Sequence, residues 1–240
     1  MMPKSAGNPT CSSRRILAGL LGAPIAQSAA PAMHERAAEV LDFRCHYQLV
    51  EIAGAGREEL RILLEGVRRL GFAGINVTFP YKEAVVGLLD ELSADAALIG
   101  AVNTIVVRDN RLIGHNTDAT GFARTIAPLV SASAQGAVAL IGAGGVGKAI
   151  AFALAGLDVN ELRIFDHEQP KATDLAARLE SRLKTSVALD VEDALRGVVG
   201  VVNATPVGML PVLAHRFQTR CCIADCGLRT PSIPRSGRRS

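Results

Sequence analysis

The sequence predicts an α/β protein of two open-sheet domains in tandem. Three observations carry that expectation. From Ala137 onward, short apolar runs alternate with helix-compatible stretches, the pattern of a parallel sheet. One of those junctions, Val138–Gly147, reads V-A-L-I-G-A-G-G-V-G and joins a strand to a helix through a cluster of glycines. In the first half, three separate runs each end a predicted strand with a polar cluster, where ligands bind in open α/β sheets: N-V-T-F-P-Y-K (Asn76–Lys82), G-A-V-N-T (Gly100–Thr104) and G-H-N-T-D (Gly114–Asp118).

In chain order, residues 1–13 are polar and Pro/Ser/Gly-bearing and read as disordered. Ile16–Leu21 reads as a strand, and Pro31 suits the first turn of a helix reaching about Leu41. His46–Ile52 alternates like a strand, and Glu58–Leu70 repeats Leu and Val at helical spacing. Phe72–Thr78 is a strand broken by Phe79-Pro80. Glu83–Leu89 is expected to be a helix, and Ser93 to cap another. Ala101–Arg108 and Arg111–His115 flank Asp109-Asn110, a hairpin turn. Asp118–Leu129 is a helix carrying the chain into the second half. There the expected order is strand 137–141, helix 146–157, strand 162–165, helix 171–183, a strand near Val187, a short helix 192–195 and a strand 198–203.

Composition excludes several classes of function. A net charge of +3 gives no ground for nucleic-acid binding, and no stretch has the roughly 20 apolar residues of a membrane span. Arg14-Arg15 before I-L-A-G-L-L-G-A has the look of a secretory leader. The apolar run is short and Pro24 interrupts it, so it reads as a first buried strand. Five cysteines, unevenly placed, make no disulfide framework, and no histidine stands at zinc-site spacing from Cys222 and Cys226; no metal is expected. A cytoplasmic location is the simplest expectation.

In the glycine cluster, Gly142 permits a tight turn. Gly144 lets backbone approach a pyrophosphate, and Gly147 lets helix and strand pack closely. Ala143, Gly145 and Val146 complete the turn, and the free N–H groups at the helix start favour an anion. Asp166 ends the next strand, 24 residues after Gly142, where an acid accepts from an adenosine ribose and repels a 2′-phosphate. The second half is therefore expected to be a Rossmann-type domain that prefers NAD, with NADP the lesser alternative.

The three polar stretches, with the G-A-P-I-A-Q-S-A-A-P loop (22–31) and A-T-P-V-G-M (204–209), resemble in order and spacing the shikimate/quinate dehydrogenase family. The resemblance covers roughly residues 16–210. It implies a substrate-binding domain over 14–117 and an NAD(P)-binding Rossmann domain over 118–209. It also implies reversible hydride transfer between a nicotinamide and a ring hydroxyl of shikimate or quinate, a small polyol carboxylate. Lys82 matches the family's acid/base lysine, and Asp118 the aspartate paired with it. Ser28 matches a serine that holds the substrate carboxylate; Thr78, Asn103 and Asn76 match polyol-contacting or supporting positions. Tyr47 matches a position that contributes a hydroxyl in some quinate-using members. Thr205 and Pro206 match a turn against the cofactor. The resemblance leaves shikimate and quinate unranked, and monomer and homodimer both open. A different Rossmann oxidoreductase, such as one acting on folate one-carbon units, is disfavoured by N-V-T-F-P-Y-K and G-H-N-T-D.

Two departures stand out. Ala30 replaces the second hydroxyl of the family's S-x-[ST]-P loop, a loss of about 1.5–3 kcal/mol if that bond is made to a charged carboxylate. The tail, 210–240, is foreign in composition, with three of the five cysteines and six arginines. With suitably chosen synonymous codons, Arg216–Ser240 can be encoded by DNA whose adjacent frame reads V-P-D-A-L-L-H-R-G-L-W-L-A-D-A-V-Y-T-P-L-W-T-P-L, the kind of segment the family has there. The expectation is a frame shift near Leu210–His215, a truncated nucleotide-binding domain, and strand 198–203 left as an exposed edge. A non-catalytic remnant that at most binds nucleotide stays open beside the enzyme.

Overall fold

The computed structural model describes residues 15–133, 136–157 and 159–207, and the backbone of 222–223. The expected disorder of 1–13 lies outside the described residues, as does nearly all of the 210–240 tail. The chain divides into two compact units between Thr117 and Asp118.

Unit 1 holds a six-stranded sheet. Its elements are β1 (Arg15–Gly22), α1 (Ala30–Val40), β2 (Arg44–Glu51), α2 (Arg57–Arg69), β3 (Gly74–Val77), β4 (Glu91–Leu92), α3 (Ala94–Ile99), β5 (Thr104–Arg108) and β6 (Arg111–His115). The strand order is β2-β1-β3-β5-β6-β4. The leader-like run is β1, next to the sheet edge, and its last four residues are buried. In α2, Leu60, Leu64 and Val67 fall on one face and are buried. Glu58 and Glu59 in its first turn and Arg68 and Arg69 in its last complement the helix dipole. That face packs with Leu21, Ile75 and Val77 of the central strands. Ser93 caps α3 by accepting from the Ala96 N–H at 3.2 Å.

The sheet is mixed, since β3–β5 and β5–β6 pair antiparallel, the second pair as the expected hairpin. The Asp109-Asn110 turn, with both residues at positive φ, can only return the chain beside itself, and a parallel neighbour would need a crossover. Glu83–Leu89 is not a helix. It forms turns and one short 3-10 segment, Val86–Leu88, where Leu88 N–H bonds Val85 C=O. Gly87 in its middle weakens any longer helix.

Unit 2 begins with α4 (Asp118–Ser133), which continues through Pro128 beyond its expected end at Leu129. It continues with β7 (Ala137–Ile141), α5 (Gly145–Ala155), β8 (Glu161–Phe165), α6 (Gln169–Leu179), β9 (Thr185–Val187), α7 (Val191–Leu195) and β10 (Gly200–Asn203). The expected helix 171–183 ends early because Leu183 packs into the same core from the following turn, which apolar periodicity cannot distinguish from helix. Strands β10, β7, β8 and β9 are parallel, and Leu140, Leu154, Leu162 and Leu175 fill the core against them. The expected bare edge at β10 is corrected over half its length: a two-residue strand, β11 (Cys222–Ile223), pairs antiparallel with Gly200 and Val201, with Val201 opposite Cys222.

Candidate active site

Register gathers the polar stretches of unit 1 at one end of its sheet. Leu21 of β1 lies opposite Val77 of β3, Asn76 opposite Thr104 of β5, and Thr104 opposite His115 of β6. The loops carrying Ser28, Thr78 and Lys82, together with Asn103, therefore leave the sheet at that end. Two of these loops are bound directly: Ala23 N–H donates to Phe79 C=O at 3.0 Å, and Thr78 N–H to Leu21 C=O at 2.9 Å. Gly22 makes this possible, since a Cβ there would lie 2.3 Å from Thr78 Cγ2 and 2.8 Å from Phe79 O. Glu51 holds the same loop by accepting from Ile25 N–H at 3.1 Å. Neither Gly22 nor Glu51 could be singled out in the sequence, because their roles depend on the β2-β1-β3 order.

Ser28 is half-buried, and its Oγ accepts from the Ala30 N–H at 3.2 Å, which leaves its own O–H able to donate. Lys82 is half-buried and its backbone is fixed on both sides. Its C=O accepts from Val102 N–H at 2.8 Å. The neighbouring Tyr81 is 3% exposed; its hydroxyl donates to Ile52 C=O and accepts from Ala55 N–H, each at 2.9 Å. Asn103 is buried. Its Oδ1 accepts from Thr117 N–H at 3.0 Å, and its Nδ2 donates to Thr117 Oγ1 at 2.9 Å. The strand-end Asn103 thus holds the G-H-N-T-D stretch, whose last residue, Asp118, opens α4 in unit 2.

Tyr47 is 4% exposed, with His34 stacked on its ring at 4.5 Å, and its hydroxyl donates to Asn76 Oδ1 at 2.7 Å. Burial pushes the phenol up to about 12, with a smaller push from Cys45. An unfolded tyrosine ionises near pH 10, so above that value the native chain binds more protons than the unfolded one and loses stability as pH rises toward 12. Urea unfolding at about pH 9 and about pH 11 is expected to show this decline, and Tyr47→Phe to remove Tyr47's share of it.

In unit 2, Gly142 adopts φ +101° and donates its N–H to Phe165 C=O at 2.8 Å. Gly144 caps α5 and Gly145 begins it, so the N–H groups of the first turn, Val146 included, have no carbonyl within the helix. A Cβ on Gly147 would lie 2.0 Å from Gly142 O. These residues fit a dinucleotide pyrophosphate: the cradle exists because side chains are absent from it. Asp166 is 7% exposed and ties the cradle to β8. Its Oδ2 accepts from Ala143 N–H at 2.7 Å and its Oδ1 from Glu168 N–H at 2.9 Å. Asp166→Ala is expected to cost about 1–3 kcal/mol in unit 2 through the stranded Ala143 donor, read by denaturant unfolding. Asp166, His167 and Glu168 also bring one ligand-type atom each within 4.8 Å of one another. Backbone donors hold Asp166 there and Lys171 holds Glu168 at 2.6 Å, so protein groups already satisfy those carboxylates.

Thr205 and Pro206 follow β10 in a turn built by Asn203, which the sequence reading missed. Asn203 is 8% exposed, and its Oδ1 accepts from Thr205 N–H at 3.0 Å and Thr205 Oγ1 at 2.6 Å. An asparagine ending an apolar strand before A-T-P is the signal that could have found it.

Residues 20–105 match the shikimate dehydrogenase substrate binding domain. The chain is 41% identical over 214 residues to the quinate/shikimate dehydrogenase (NAD(+)) of Corynebacterium efficiens, covering 86% of this chain and 75% of that protein. Among solved structures, quinate dehydrogenase from Corynebacterium glutamicum in complex with NAD superposes with a TM-score of 0.72 at 36% identity, over 84% of this chain and 74% of that one. Shikimate 5-dehydrogenase from Thermus thermophilus in complex with NADP(H) and shikimate gives 0.67 at 38% identity, over 80% and 69%. Among the described residues, no helix is long and apolar enough to cross a membrane.

Proposed function

Because this chain belongs to the shikimate/quinate dehydrogenase family, we propose that it oxidises a ring hydroxyl of shikimate or quinate with NAD, and reduces the matching ketone in reverse. The relatives that use NAD, and the position of Asp166 where a 2′-phosphate would meet its charge, support NAD over NADP. Unit 1 serves as the substrate domain and unit 2 as the nucleotide domain. The single observation that carries the reading is the register that brings Ser28, Thr78, Lys82 and Asn103 to one end of the unit 1 sheet, in a chain with this glycine cradle.

The nicotinamide, when bound, supplies the hydride acceptor. Lys82 Nζ takes the hydroxyl proton during oxidation and returns it during reduction, and Asp118 hydrogen-bonds the same hydroxyl and orients the lysine. Ser28 donates its O–H to the substrate carboxylate, aided by the N-terminus of α1 that begins at Ala30. Thr78 and Asn103 hold the remaining ring hydroxyls. Thr205 and Pro206 close the cofactor side.

The test is NADH formation by the purified 240-residue chain with shikimate and with quinate. Turnover with either, faster with NAD than with NADP, is the expected result. No NADH with either substrate would overturn the enzymatic reading.

A further inference from the structure

After β2 the chain bends through I-A-G-A (Ile52–Ala55), with Gly54 at φ +71°. Such a bend brings the C=O of its first residue toward the N–H of its fourth, and the two commonly bond each other. In this bend a side chain from another part of the sheet joins them. Tyr81 O–H donates to Ile52 C=O and accepts from Ala55 N–H, each at 2.9 Å. The partners lie 29 and 26 residues from Tyr81 in sequence, so only the fold brings them to one hydroxyl. The ring below the hydroxyl is 3% exposed and clusters with Leu21, Val77 and Val85. Apolar packing holds the ring but has no direction. The two hydroxyl bonds fix where along the bend it stops.

The same bend is tied to a second loop. Ile52 N–H donates to Gly22 C=O at 3.2 Å, and Glu51 Oε1 accepts from Ile25 N–H at 3.1 Å. Ile52 therefore bonds the loop of Ser28 through its N–H and the segment of Lys82 through its C=O. The direct tie between those segments, Ala23 N–H to Phe79 C=O, lies before Pro80. The Tyr81 hydroxyl acts after Pro80, on the residue next to Lys82.

We propose that Tyr81 is a positioning residue for Lys82. Its hydroxyl pins the lysine's segment to the 52–55 bend, and the bend is pinned to the loop of Ser28. The proton-transfer group and the carboxylate-binding group are thereby held a fixed span apart. This rests on the proposed function, which gives Lys82 and Ser28 those roles. A substrate whose carboxylate is held at Ser28 presents its reacting hydroxyl at a set distance, and an acid/base group displaced by about 1 Å loses rate steeply. Without the phenol oxygen the bend is free to close on itself, Ala55 N–H to Ile52 C=O, and to release the lysine's segment.

Tyr81→Phe keeps the ring and removes only the hydroxyl, and two measurements on the full chain test the proposal. The first is amide hydrogen exchange without ligand. Val102 N–H reads the lysine's backbone, because its acceptor is Lys82 C=O. Tyr81→Phe quickens exchange at Val102 about tenfold and leaves Val107, bonded to Ala73 C=O in the same unit, unchanged. Unchanged exchange at Val102 overturns the proposal. So does equal quickening at Val107, which marks a general loss of stability instead. The second pairs steady-state kinetics with calorimetric titration of shikimate and of quinate. Tyr81→Phe lowers kcat about tenfold with substrate Kd within about twofold, and in a Lys82→Ala background it causes no further loss. A loss that multiplies with that of Lys82→Ala overturns the proposal, since the tyrosine would then act independently of the lysine. Turnover of neither substrate by the unsubstituted chain counts against the proposed function, and exchange at Val102 then decides the positioning alone.

Discussion

Lys82→Ala is expected to lower kcat for shikimate or quinate oxidation by about 10²–10⁴-fold, the contribution of a positioned general acid/base. The fold should survive the change. The backbone at Lys82 is held by its own C=O to Val102 N–H, and Tyr81 beside it is held by Ile52 and Ala55; none of these bonds involves the lysine ammonium. The loss should therefore fall on kcat, with NAD binding by unit 2 unchanged. Lys82→Arg sharpens the test. A guanidinium keeps the positive charge and the reach but does not release its proton in a protein. A lysine that only attracts the substrate carboxylate would tolerate arginine, whereas one that accepts a proton would not. Stopped or steady-state NADH formation across pH, with both variants side by side, separates these roles. Substantial activity in Lys82→Arg would move the proton-transfer role to another group.

The sequence made some parts of this site readable because single residues carried their own geometric requirement. Gly142 needs positive φ, Gly147 needs a missing side chain, and Asp109-Asn110 needs a tight reversal; each states its constraint within a few positions of itself. Strand and helix types followed from local periodicity for the same reason, as in α2. What stayed hidden depends on strands that are distant in the chain. Tyr47 and Asn76 are 29 residues apart, and their bond exists only because β1 inserts between β2 and β3. Glu51 reaches Ile25 from 26 residues away by the same arrangement. Glu83–Leu89 failed in the opposite direction. Its apolar residues suggested a helix, but after one i→i−4 bond, Val85 N–H to Tyr81 C=O, the segment tightens to i→i−3 turns around Gly87.

The glycine cradle gives the second large effect. Gly147→Ala is expected to reduce NAD affinity by more than about tenfold and to destabilise unit 2 by about 1–3 kcal/mol, the usual cost of forcing atoms into a filled space. The added methyl would stand 2.0 Å from Gly142 O and 2.8 Å from Gly142 C, both backbone atoms with no rotamer to yield. Gly142 cannot retreat. Its N–H is bonded to Phe165 C=O, and a Cβ on it would approach the Ala204 backbone carbon and the Thr205 side-chain methyl to 3.0 Å each. The strain must therefore move α5 off β7 or push the Thr205–Pro206 turn outward, and either displaces the N–H groups that would hold a pyrophosphate. Gly66→Ala is the matched comparison. Gly66 lies within α2, nothing stands within 4 Å of its would-be Cβ, and alanine there should stabilise by about 0.5–1 kcal/mol. Calorimetric NAD titration and urea unfolding of both variants read the contrast. NAD affinity in Gly147→Ala equal to that of the unsubstituted chain would mean that the cradle is not where the dinucleotide sits.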